Sequence, residues 1–235
     1  MKNKVRILLD TDANNEIDDQ HAIAYMLLSG DVFLVEGLTV NRTNNGGDIE
    51  AQALEAERVV GLCNMQPALN VTRGASGSFD EIVPHLDKSR FDGSDAVNLI
   101  IRRAEAYLGQ KLVLLAIGKL TNVAIALKMR PDIIDKVKLV WLGSNYPNSG
   151  EYNLEADPES LNFVLDCAVE FELAVVRYGA RSGTSAVRVT LEDVATKLPG
   201  QGPAARSPIT GRHGGSFIHF GDYSINLLSN VDLYY

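Results

Sequence analysis

Apolar runs of strand length alternate with helix-length segments along most of this chain, and that alternation constrains the fold more than any other feature. Residues 5–9 (Val-Arg-Ile-Leu-Leu) read as a buried strand and residues 22–28 as a helix. Residues 34–40 form a second strand, followed by a helix over 48–62 that can turn Ala51, Ala53, Ala56, Val59 and Val60 inward. A short extended piece at 68–72 leads to a Gly/Ser-rich loop at 74–78. A helix over 94–108 is expected to start on a Ser94 cap, without a reciprocal Glu or Gln at Val97. Residues 111–117 read as a fully buried strand, and 121–129 as a helix stopped by Pro131. Strand 138–142, a polar loop to 153, helix 158–169 and strand 173–178 complete the series. This order predicts an α/β fold, a mostly parallel open sheet with helices on both faces. At 235 residues one domain over 1–235 suffices. From about 180 the tail is loop-rich: 197–215 is dense in Gly, Pro, Ser and Arg, and 221–235 shows no clear period.

Five carboxylates, Asp10, Asp12, Glu16, Asp18 and Asp19, fall within ten residues between the first strand and the first helix. Open α/β sheets bind ligands at this edge, outside the carboxyl ends of the strands. Two carboxylates about 4 Å apart repel by roughly 4 kcal/mol at an effective dielectric near 20. A fold keeps such a group by protonating some members or by binding a cation among them. A divalent cation with oxygen ligands is the simpler solution.

The net charge of −8 argues against nucleic acid, which requires clustered Lys and Arg. No stretch has the length of a transmembrane helix. Cys63 and Cys167 stand alone, without metal-ligand spacing, so a reducing compartment is expected. The N-terminus runs into the first strand without an apolar signal region, which points to the cytoplasm. The triplets Asn41-Arg42-Thr43 and Asn70-Val71-Thr72 match the glycosylation pattern and read as chance.

Three readings of the acidic segment compete. An EF-hand loop from Asp10 fails at its sixth position, Asn15, and at its twelfth, His21. A haloacid dehalogenase-like phosphatase, with Asp10 as nucleophile and Asp12 as acid/base, fits Asp-Thr-Asp after a strand but leaves Asp18-Asp19 unexplained. The third reading covers the whole segment. Asp10-Thr11-Asp12 followed by Asp18-Asp19 and a small-residue apolar helix resembles the opening of the inosine-uridine-preferring nucleoside hydrolases, with a longer spacer at 13–17 than that family's Pro-Gly turn. Gly118-Lys119-Leu120-Thr121-Asn122 is similar to its Gly-Leu-Thr-Asn helix entry, and Leu142-Gly143-Ser144-Asn145 to its Met-Gly-Gly strand end. Glu151-Tyr152-Asn153 and Asp157-Pro158-Glu159 resemble its Glu-Phe-Asn and Asp-Pro-Glu runs, and Ala96 to Ile100 also has a counterpart. The resemblance runs from about Val5 to Tyr178.

The resemblance implies a Rossmann-like core and Ca²⁺-dependent hydrolysis of the N-glycosidic bond of purine or pyrimidine ribonucleosides. It also implies a small-molecule nucleoside as partner, with self-association as a homo-oligomer. On it, Asp12, Asp19 and the main-chain oxygen of Ile117 are metal ligands, and Asp12 also takes the proton of the attacking water. Asp18, Asn41, Asn148, Glu151 and Asn153 are implied as ribose-binding, with Asn44 as the alternative to Asn41, and Asp10 braces the segment. Turn chemistry explains Asn41, Asn44 and Asn148 equally well. His21, His85, His213 and His219 lack a matching motif, and packing or surface roles are expected. The family's late metal-ligating Asp has only Asp222 or Asp232 as candidates. A chain lacking that ligand would be a weak hydrolase or a non-catalytic nucleoside- or sugar-binding protein with an incomplete metal site.

Overall fold

The structure, a computed structural model, describes residues 4–106 and 109–230. Strand β1 (Val5–Thr11) is enclosed on both faces, with Leu8 and Leu9 fully buried, which is why its apolar run is unbroken. It sits inside a six-stranded sheet with β2 (Phe33–Val40), β3 (Val71–Arg73), β4 (Leu112–Ala116), β5 (Val137–Leu142) and β6 (Glu170–Ala174). The order is β3-β2-β1-β4-β5-β6 and every pairing is parallel.

The connecting helices are α1 (Asp18–Leu28), α2 (Ile49–Leu62), the short α3 (Phe79–Ile82), α4 (Ser94–Glu105), α5 (Thr121–Met129), α6 (Tyr152–Ala156) and α7 (Pro158–Asp166). The tail adds α8 (Leu191–Lys197), a small antiparallel hairpin of β7 (Ile209–Thr210) and β8 (Ser216–Phe217), and α9 (Phe220–Leu228). On one face α4, α5 and α7 pack Val97, Ile100, Ile125 and Val164 against Leu8, Leu114, Leu139 and Trp141. On the other, α1, α2 and α9 pack Ile23, Ala56, Val59 and Leu227 against Ile7, Leu9, Leu38 and Val40. The sheet is therefore covered from both sides, as the alternation predicts.

Several elements depart from the expectation. Helix α1 begins at Asp18, four residues before its apolar stretch, and so takes two carboxylates into its first turn, where a helix favours negative charge. Ser94 is not the cap of α4: Gly93 is, at φ +81°, because a Cβ there would stand 2.7 Å from the Ala75 nitrogen. The expected end of that helix at 107–108 lies outside the described residues. Strand β6 starts at Glu170, not 173. As an edge strand it carries Glu170 and Glu172 on its exposed face, where they pair with Lys111 and Lys138 and hide the strand pattern.

The stretch after 220 contains a helix that was not expected. Its buried side, Phe220, Tyr223, Ser224 and Leu227, has helical spacing but is partly polar. Tyr223 donates to the buried carboxylate of Glu55 at 2.5 Å, and Ser224 shares a hydrogen bond with His21 at 2.6 Å. Both cysteines are free, Cys63 buried and Cys167 half-buried. Among the described residues no helix is long and apolar enough to cross a membrane.

At the amino end of β1, buried Arg6 donates to Glu36 at 2.5 and 2.8 Å and to the carbonyls of Arg103 and Gln110. R6M would leave a mostly buried carboxylate unpaired. The expected loss is about 3–5 kcal/mol, read as a lower urea midpoint; a loss below about 1 kcal/mol would remove this ion pair from the stabilising framework.

Candidate active site

Chain order reverses direction across the sheet at β1: β2 lies on one side of it and β4 on the other. This topological switch point opens a crevice at the carboxyl edge. A pocket of about 360 Å³ lies there, lined among others by Asp12, Glu16, Asp18, Asp19, Ile117, Glu151, Tyr152, Asn153, Tyr178 and Thr184.

Asp10, the last inward acid of β1, lies beneath this pocket and is not part of its lining. It is 1% exposed and accepts hydrogen bonds from Thr39 at 2.6 Å, Asn122 at 2.8 Å and Asn41 at 2.9 Å. Burial pushes its carboxyl up to about 6, against the pull of those three donors. With both oxygens engaged below the pocket, Asp10 is not placed as the nucleophile of a phosphatase.

Asp12 follows at the mouth of the strand, also 1% exposed. Thr43 donates to it, and Asn15 donates to the same oxygen at 3.3 Å. Thr43 is set by Tyr152, whose hydroxyl donates to it at 3.2 Å while accepting the Asn45 N–H at 2.7 Å. Burial first, then the charge of Asp18, pushes Asp12 up to about 7. Asp19, in the first turn of α1, is buried and accepts from Thr11. Burial, then the charges of Asp12 and Asp18, hold its carboxyl well above the usual range. The charge of Asp18 thus disfavours the ionised form of both, and that of Asp12 disfavours the ionised form of Asp19.

The main chain after β4 completes the floor. The Ile117 N–H donates to the Asp10 carbonyl at 2.9 Å, and the Ile117 carbonyl accepts from the Asn153 amide at 2.8 Å. That amide also donates to the Leu142 carbonyl at 3.0 Å, so Asn153 joins the ends of β4 and β5. The next residue must be glycine: a Cβ on Gly118 would stand 2.8 Å from the Asn41 amide and 3.0 Å from Asp12 Oδ1. Glu151 caps α6, accepting the N–H groups of Asn153, Leu154 and Ser144 at 2.7–3.0 Å.

Of the residues expected from sequence, Asp12, Asp18, Asp19, Ile117, Glu151 and Asn153 therefore meet in one pocket. Asn41 is buried but turned to Asp10, and Asn44 and Asn148 are exposed and outside the lining. Asp222 accepts from the Gly200 N–H at 2.9 Å and also lies outside it. Asp232 is outside the described residues. Thr43, Tyr152, Tyr178 and Thr184 were not anticipated. Tyr152 sits inside the Glu-Tyr-Asn run, which was the available signal; the others carry none.

The lining holds five carboxylates and, among the described residues, no Lys, Arg or His. Those residues contain no group of three or more His, Cys, Asp or Glu side chains arranged to hold a metal ion. The donors at the floor are two carboxylates and one main-chain carbonyl. All are hard oxygens, the chemistry of a Ca²⁺- or Mg²⁺-type ion that completes its shell with water.

The profile of the inosine-uridine preferring nucleoside hydrolases matches residues 7–212, and the chain belongs to that family. It is 27% identical over 214 residues to the inosine-uridine preferring nucleoside hydrolase of Leishmania major, covering 82% of this chain and 67% of that one. It is 28% identical over 186 residues to the pyrimidine-specific ribonucleoside hydrolase RihB of Escherichia coli (strain SE11), covering 71% and 58%. The chain thus matches about two thirds or less of the length of these relatives. A plant nucleoside hydrolase has the same fold, with a TM-score of 0.71 at 21% identity, over 99% of this chain and 72% of that one. The purine-preferring ribonucleoside hydrolase of Gardnerella vaginalis scores 0.67 at 21% identity, over 97% and 71%.

The raised carboxyls have a consequence for stability. A native value above the unfolded one, near 3.8, means that the protonated form favours folding. That contribution is complete below about pH 4 and is lost as the pH rises through about 6 for Asp10 and about 7 for Asp12. For Asp10 it corresponds to about 3 kcal/mol. In cation-free solution, resistance to urea should fall between pH 4 and 7, and D12N should flatten the upper part of that fall. Superimposable profiles for the two proteins would show that Asp12 titrates as an ordinary carboxyl.

Proposed function

We propose that the protein hydrolyses the N-glycosidic bond of ribonucleosides, using a divalent cation, Ca²⁺, at the pocket floor. The observation that carries this reading is the meeting of buried Asp12 and Asp19 with the Ile117 carbonyl at the switch point, in a chain of this family. Asp12, Asp19 and Ile117 would hold the cation, and water would fill its remaining positions. When bound, such an ion acidifies a water and grips the ribose diol.

The remaining chemistry belongs to side chains of this chain. Asp12, made more basic by burial, takes the proton of the attacking water as the C1′–N bond opens. Thr43 fixes the carboxylate that does so, and Tyr152 fixes Thr43. Asp18 and Asn153 receive the ribose hydroxyls, and Glu151 keeps Asn153 in position through the cap of α6. Asp10 and Asn41 act from below by holding the strand end. An oxocarbenium-like sugar gains from the surrounding negative charge. The two free cysteines support a reducing, cytoplasmic compartment.

The small number of carboxylate ligands favours a second reading, nucleoside binding without turnover. Release of ribose from inosine and uridine, with and without chelator, separates the two. Hydrolysis that disappears with chelator and returns with Ca²⁺ is expected, and D12N should lose about 10²–10⁴-fold in kcat. Calorimetric binding of nucleoside without ribose release would sink the hydrolase reading.

A further inference from the structure

Glu16 belongs to the acidic segment, yet neither the cation site nor the ribose contacts use it. We propose that Glu16 is the acid that protonates the departing base, lining the same pocket as Asp12. This inference rests on the hydrolase reading above and names a further residue for that reaction.

Glu16 lies in the spacer at 13–17, and the spacer is firmly held. The Asn14 N–H donates to Gln52 Oε1 at 2.6 Å and its amide to the Gly46 carbonyl at 2.7 Å. Asn15 donates to Asp12, and the Ile17 carbonyl is bonded to the His21 ring at 2.6 Å. Residues on both sides of Glu16 are therefore fixed, and its half-buried side chain faces the pocket. Among the described residues it has no hydrogen bond or ion pair, so its carboxyl is available to a ligand. Burial, then the charge of Asp18, raises that carboxyl above its ordinary value, the direction an acid needs. Its charge also reaches the two tyrosines of the lining, Tyr152 and Tyr178.

The other carboxylates of the lining have roles of their own, Asp18 toward the ribose. Glu151 accepts three main-chain N–H groups, Asp12 and Asp19 form the floor, and the described lining has no His, Lys or Cys. The step balances with water alone. The C1′–N bond breaks, its electron pair goes to the base, and a ring nitrogen takes the proton of Glu16. The oxygen of water joins C1′, and Asp12 keeps the proton that water loses. Exchange with solvent restores both carboxyls.

The test compares two leaving groups on the full chain with Ca²⁺ present. Inosine needs its base protonated, whereas 4-nitrophenyl riboside releases a stable anion unaided. E16Q should lose about 100-fold or more in kcat/KM on inosine and stay within about threefold on the nitrophenyl riboside. E16D, which keeps an acid, should recover part of the inosine rate. If E16Q does not fold, E16D alone should lose more on inosine than on the nitrophenyl substrate. Equal losses on both substrates, or none on either, overturn the role of Glu16 and leave the hydrolase reading standing. A wild-type chain inactive on both substrates overturns the hydrolase reading, and this inference with it.

Discussion

The hydrogen bonds that converge on Asp10 hold the sheet's carboxyl edge in the shape the pocket requires. Thr39 donates from β2, Asn41 from the turn after β2, and Asn122 from α5, while the Asp10 carbonyl receives the Ile117 N–H from the end of β4. Asn122 extends the link, donating to the Val40 carbonyl and accepting the Ala75 N–H. Four connections that would otherwise end independently are tied to one buried residue, three through its carboxyl and one through its main-chain carbonyl. Burying such a group is unfavourable unless its partners are complete, and here three side chains supply them. The crevice at the switch point is consequently a fixed feature, with Ile117 and Asp12 kept side by side.

Burial and partners then divide one acidic segment into different chemistries. Asp10 is a structural acceptor below the floor. Asp12 and Asp19 lie at the floor, each with a threonine donor and each pushed toward protonation by burial and by the other charges nearby. Asp18 is exposed at the rim, where solvent screens it, and Glu16 is half-buried with no partner. The unfavourable charge is therefore concentrated in the two floor groups and not spread over the segment as a whole. Lys119, a buried cation whose charge acts on Asp10, donates to the Ser76 and Gly77 carbonyls.

The central elements were legible in the sequence because they are buried on both faces, so β1, β2, β4 and β5 appear as nearly continuous apolar runs and α5 as a compact apolar helix. The periphery was not. Edge strand β6 satisfies its solvent side with Glu170 and Glu172, and α9 docks through Tyr223 and Ser224 onto Glu55 and His21, so neither shows a clean period. In the pocket, residue types with a chemical signature were readable: Asp12, Asp19, Glu151 and Asn153 come together as expected. Thr43 and Tyr178 were hidden because a hydroxyl gains meaning only from what folding sets beside it. Asn41 and Asn148 show the limit for turn residues, one buried against Asp10 and the other exposed.

The long spacer before Asp18 also finds its explanation in a second segment. Asn14 bonds to the Gly46 carbonyl, and Gln52 of α2 receives the Asn14 N–H while its amide donates to the carbonyls of Asn45 and Gly46. Asn45 in turn reaches Tyr152, which orients the threonine on Asp12. The spacer and the turn at 44–47 therefore stabilise each other, and through Tyr152 they join the network that fixes the floor. The spacer touches the floor through the Asn15 amide on Asp12, while Asp19 is held by Thr11 and α1. The spacer also supplies the wall of the pocket at Glu16, where a leaving group would lie.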